Sequence, residues 1–146
     1  MTLALDTNVM IPWLVRSAPG HAAARRLVRT ELDREGGRIA IPQQVCWEFL
    51  HVVTDPRRFA APLDMGAAIA LVRAVWNAPD TFRVMPTSDV MPRVLELMAA
   101  HRLGRKRILD AALAATLEAS GVRRLATFNV TDFRCFGFID TVAPRA

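Results

Sequence analysis

Five short apolar runs, at residues 2 to 5, 38 to 41, 82 to 85, 123 to 127 and 138 to 142, alternate with stretches that carry helical patterns. Strands joined by helices re-enter the same sheet through right-handed crossovers, which makes the sheet parallel and covers both its faces. The expected fold is therefore α/β, a three-layer α/β/α arrangement around a mostly parallel, roughly five-stranded sheet. No repeat, linker or low-complexity stretch interrupts the alternation, so residues 1 to 146 read as a single domain.

The helical stretches have recognisable ends. A short pattern runs from Thr7 through Val15, and residues 20 to 34 form a basic-faced helix closed by Gly36 and Gly37. Pro42 opens a helix over 42 to 54, and residues 64 to 77 are apolar nearly all round. Ser88 is placed to cap a helix over 88 to 103 that Gly104 stops, with Pro92 blurring its first turn. The last helix, about 107 to 120, is almost uniform in alanine and leucine, and a helix apolar on every side is a buried one.

An apolar content of 52% is ample for one core. Cys46 and Cys135 lack metal-ligand spacing, and a chain of this length needs no disulfide, so a reduced, cytoplasmic setting is expected. No secretory leader is visible, and no apolar run approaches the roughly 18 residues of a membrane span, which argues against a membrane role. His21, His51 and His101 are too dispersed for a zinc site. Nineteen Lys and Arg against 14 Asp and Glu leave a net charge of +5, which suits a polyanionic partner and equally serves solubility.

Four acidic residues stand in apolar surroundings near strand or helix ends: Asp6, Glu48, Asp110 and Asp132. Each has an ordinary explanation. Asp6-Thr7-Asn8 is good helix-capping chemistry, Glu48 suits an exposed helix face shared with Gln44 and His51, and Asp132 fits an Asx turn. Asp110, in the first turns of the alanine-rich helix, is the hardest to dismiss, although Lys106 or Arg107 is placed to pair with it. If the strands ending at Leu5 and Thr127 are parallel neighbours, Asp6, Asp132 and the start of the Asp110 helix converge on one sheet edge. Carboxylates about 5 Å apart repel by roughly 3 kcal/mol at an effective dielectric near 20, so such a cluster binds cations or takes up protons. Oxygen-only donors favour Mg2+ or Mn2+ over zinc.

Four segments in order, Leu-Asp-Thr-Asn-Val at 5 to 9, Trp-Glu-Phe at 47 to 49, Asp-Ala-Ala-Leu-Ala-Ala at 110 to 115 and Ala-Thr-Phe-Asn-Val-Thr-Asp-Phe at 126 to 133, resemble the motifs of PIN-domain ribonucleases. Within that family the chain most resembles the VapC-type toxins of bacterial toxin–antitoxin systems. The resemblance implies metal-dependent hydrolysis of RNA phosphodiesters, with Asp6, Glu48, Asp110 and Asp132 catalytic and Asp6, Asp110 and Asp132 on a Mg2+ or Mn2+ ion. It makes Thr7, Asn8, Thr127 and Asn129 supporting polar residues, and implies an antitoxin partner and a homodimer. Arg57, Arg58, Arg105, Lys106 and Arg107 are then candidates for tracking RNA phosphates, and Trp13, Trp47 and Trp76 for protein contacts or core. Two other readings are a PIN-like domain that only binds RNA or protein, and a phosphatase with Asp6 as nucleophile. The second is weakened by Asn8, where haloacid-dehalogenase-like enzymes carry another aspartate.

Overall fold

The computed structural model describes residues 2–146. Strand β1 (Thr2–Leu5) leads into α1 (Thr7–Leu14) and α2 (His21–Leu32), then β2 (Arg38–Pro42), α3 (Gln43–Val53), α4 (Met65–Trp76) and β3 (Thr81–Val84). The second half runs α5 (Val90–Ala100), a 3-10 turn at Arg105–Arg107, α6 (Ile108–Ala119), β4 (Arg124–Ala126), a 3-10 turn at Val130–Phe133 and β5 (Asp140–Val142). The five strands form one sheet in the order β3-β2-β1-β4-β5, and every pairing is parallel.

This order follows from crossover handedness. The chain steps from β1 to β2 to β3 in one direction, then returns across the sheet to β4, so α1–α4 cover one face and α5–α6 the other. In keeping with this, α1 packs on α2 and α3, α3 packs on α4, and α5 packs on α6. The strands between these layers are apolar on both faces: Leu3, Ala4, Leu5, Ile39, Ala40, Ile41, Leu125 and Ala126 are all buried. The strand order reverses between β1 and β4, where Leu3 pairs with Arg124 and Leu5 with Ala126. A crevice opens at such a reversal beyond the carboxyl ends of the strands.

Local chemistry explains the ends of the elements. Asp6 and Asp64 cap α1 and α4 through their carboxylates. Gly37 permits the close return from α2 to β2, since a Cβ there would stand 1.9 Å from the Glu31 carbonyl oxygen. One helix begins differently from expectation. The cap of α5 is Asp89 rather than Ser88, and Pro92 sits in its first turn, where the missing N–H costs nothing. α4 is apolar yet peripheral: only Ala68 and Val75 are buried, while Met65 and Ile69 face outward. α6 is buried over Leu113–Leu117 as expected, but its first two residues, Ile108 and Leu109, are exposed.

No helix is long and apolar enough to cross a membrane among the described residues.

Candidate active site

Asp6 leaves the end of β1 in extended conformation and is held from three sides. Its N–H donates to the Ala126 carbonyl at 3.0 Å, and one carboxylate oxygen accepts from the Thr7 N–H at 2.7 Å as the cap of α1. The other oxygen accepts from the Thr127 hydroxyl at 2.8 Å. Capping and site geometry are thus the same arrangement, since capping uses one oxygen and leaves the other turned to the β1–β4 crevice.

Thr127 is fully buried just past β4, and its hydroxyl organises the turn that follows. It accepts from the Asn129 N–H at 3.0 Å and lies 3.4 Å from Asn8 Nδ2, while Asn8 Oδ1 accepts from the Phe128 N–H at 3.1 Å. Thr7, Asn8 and Thr127 therefore knit the ends of β1 and β4 together. Asn129 joins them through its backbone, with an exposed side chain.

Helix α3 turns its Gln44–Glu48 face inward. Glu48 accepts from the Thr7 hydroxyl at 3.0 Å on one oxygen and from Gln44 Nε2 at 3.1 Å on the other. Gln44 also donates to the Leu109 carbonyl at 2.9 Å, tying α3 to the first turn of α6. His51 is exposed. Gln44 is a site residue that sequence reasoning placed on the right face without giving it a task; its four-residue offset from Glu48 was the available signal.

Asp110, the third residue of α6, accepts from Arg107 Nε at 2.9 Å. The same guanidinium donates to the backbone carbonyl of Asp132, so Arg107 joins the start of α6 to the 3-10 turn carrying Asp132. It is directed into the acidic cluster instead of outward. Arg105 and Lys106 beside it are exposed. Arg57 is paired with Asp55 at 3.2 Å, and with Arg58 it lies beyond the far end of α3, away from the Gln44 end.

The electrostatics join the four acids. Burial raises Asp6 from 3.8 to about 6, against the opposing hydrogen bonds of Thr127 and Thr7, and the charges of Asp110 and Glu48 push it further. Asp110 is also raised, first by burial, with Arg107 opposing and the charges of Asp132 and Glu48 adding. Two of the four acids are therefore destabilised as anions, with Arg107 as the cation in contact. The donors are all oxygen, which fits a hard divalent cation. Among the described residues no three acidic, histidine or cysteine side chains gather around one point, so the fit rests on charge and donor type.

A groove of about 370 Å³ adjoins this site, lined among others by Gln44, Trp47, Met91, Ile108 and Leu109. Trp47 is exposed there, whereas Trp13 and Trp76 are half-buried against the core.

The same fold occurs in known proteins. A family model described as PIN domain matches residues 3–136. Ribonuclease VapC24 of Mycobacterium tuberculosis is 31% identical over 136 residues, covering 93% of this chain and 92% of that protein. Among solved structures, Mycobacterium tuberculosis VapC20, described as a sarcin–ricin loop cleaving toxin, superposes with a TM-score of 0.71 at 19% identity, covering 94% of this chain and 96% of that one. VapBC-1 of nontypeable Haemophilus influenzae gives a TM-score of 0.67 at 16% identity, covering 98% of each chain.

Proposed function

The chain belongs to the PIN domain family, and from that premise we propose that it is an endoribonuclease hydrolysing RNA phosphodiesters at the cluster of Asp6, Glu48, Asp110 and Asp132. What supports the reading is the electrostatic coupling of these acids at the β1–β4 crevice: beyond the effect of burial, the charges of Asp110 and Glu48 act on Asp6, and those of Asp132 and Glu48 act on Asp110. The 31% identical relative named as a ribonuclease supports the reaction class.

Asp6, Asp110 and Asp132 would hold a divalent cation, Mg2+ or Mn2+. When bound, it supplies an activated water and neutralises charge on the leaving oxygen. The side chains of this protein do the remaining work. Thr127 and the Thr7 N–H fix the Asp6 carboxylate in place. Glu48, steadied on both oxygens by Thr7 and Gln44, orients the attacking water and accepts its proton. Arg107 holds Asp110 and the Asp132 turn in one frame. Attack by water leaves a 5′-phosphate and a 3′-hydroxyl. Exposed Arg105 and Lys106 adjoin the cluster and attract the RNA backbone; Arg57 and Arg58 serve a longer strand at most.

In the cell the protein acts as a toxin neutralised by a cognate antitoxin and assembles as a homodimer. The names of its neighbours, which include toxin–antitoxin complexes such as that from Klebsiella pneumoniae, support the toxin role and the antitoxin partner. Two apolar surfaces are available for those contacts: the groove beside Trp47 and the outward face of α4 around Met65 and Ile69.

The test is RNA cleavage with and without Mg2+ or Mn2+. Wild type cleaves only with metal, and Asp6→Asn or Asp110→Asn abolishes cleavage while circular dichroism shows the fold intact. Undiminished cleavage by both variants would sink the assignment.

A further inference from the structure

Phe128 is an exposed aromatic side chain outside the hydrophobic core. It is 43% exposed, yet it directly follows the fully buried Thr127 whose hydroxyl holds Asp6. Its backbone is fastened at the crevice by the bond from its N–H to Asn8. Its ring abuts Gly20, where a Cβ would stand 3.2 Å from the ring tip. Gly20 has a φ of 85°, so both its conformation and this close approach call for glycine. The neighbouring His21 ring nitrogen lies 2.6 Å from the Pro12 carbonyl, which anchors the turn that supports the ring. Trp47, Met91, Ile108 and Leu109 share the apolar groove, whereas Phe128 lines neither that groove nor the one bordering α4.

We propose that Phe128 is a stacking platform for a nucleobase of the RNA strand whose phosphate lies at the acidic cluster. The inference rests on the ribonuclease reading and adds to it a residue that positions the substrate. A single strand bound at an acidic centre needs an attraction that does not depend on phosphate charge, and every base offers a π-face. A ring packed against Gly20, on a backbone fastened by Asn8, loses little freedom on stacking, so most of the attraction is retained as affinity. The ring is one residue from Thr127, so a base seated on it sets the register of the backbone relative to Asp6.

The test compares a random-sequence pool of labelled oligoribonucleotides, about 12 nucleotides long as suits a single-strand site, with an abasic ribose-phosphate chain of equal length. Binding is followed by fluorescence anisotropy with Mg2+ in the Asp110→Asn background, which keeps the strand intact. Phe128→Leu retains apolar cover over Gly20 but has no ring, and it is expected to weaken binding of the base-bearing pool by about 5- to 150-fold. Affinity for the abasic chain stays unchanged, and Phe128→Trp restores binding of the pool. Retention of affinity by Phe128→Leu, or an equal loss on both chains, overturns the proposal. Failure of the parent protein to bind either chain removes the ribonuclease reading together with it.

Discussion

The two ends of β4 handle buried charge in opposite ways. At its start, the Glu31 carboxylate is 1% exposed and accepts from Arg124 at 2.7 Å, with Arg34 at 3.3 Å. Past its end, in the group of Asp6, Glu48, Asp110 and Asp132, Arg107 pairs with the Asp110 carboxylate and donates to the Asp132 backbone carbonyl. The first end is neutralised within the chain and is structural. The second is left short of positive charge, which is the condition for binding a cation from outside. A buried acid by itself therefore says little about function; the presence or absence of internal counter-charge separates the two cases.

The largest effect is expected where compensation is complete. Glu31→Gln strands Arg124 and Arg34 without their anion and should cost about 3 kcal/mol in urea unfolding. Replacing Glu31 and Arg124 together by leucine and methionine should cost less than the single change, because the buried pair is removed as a whole and Arg34, which is 49% exposed, is left to solvent. A double variant less stable than Glu31→Gln would remove the distinction between the two ends.

The acidic end should respond to pH in the metal-free protein. The Asp6 pKa is raised on folding, from 3.8 to about 6, so the folded state binds the extra proton between those values. Its stabilising contribution is fully present below about 3.8 and is lost as pH rises through about 6. Wild type should therefore gain up to about 2–3 kcal/mol relative to Asp6→Asn as pH falls from 7 to 4, measured by chemical denaturation. Parallel pH curves for the two proteins would show the cluster to be already neutralised.

Millimolar Mn2+ should relieve the same strain. At about 100 times its dissociation constant the ion would stabilise wild type by about 2.7 kcal/mol, seen as a raised Tm, with a much smaller rise for Asp110→Asn. An identical rise in both would place the ion elsewhere. The smallest effect belongs to Arg107→Gln, which loses a half-exposed pair worth about 1 kcal/mol in the metal-free protein.

Much of this contrast was open to sequence reasoning, though unevenly. The strand runs at 2 to 5 and 123 to 127 predicted β1 and β4 because fully buried parallel strands are uninterrupted apolar stretches. Asp6, Asp110 and Asp132 stood out as carboxylates among apolar residues, and the pairing of Arg107 with Asp110 was one of two options at that helix start. Glu31 was hidden, because the helix around it carries Arg25, Arg26, Arg29 and Arg34 and reads as a solvated basic face. Its partner Arg124 is 93 residues away, and only the tertiary fold brings them together. The peripheral position of α4 was also illegible, since an apolar helix looks the same whether it meets the core or a partner.

The hydroxyl clamp from Thr127 to Asp6 spans 121 positions of sequence. Translation proceeds from the N-terminus, so Asp6 is made 121 residues before Thr127. Until β4 arrives, β1 lacks one of its two strand neighbours, and Asp6 lacks both the Ala126 carbonyl and the Thr127 hydroxyl. A chain that stops before β4 therefore lacks both of the long-range partners that hold Asp6 at the crevice.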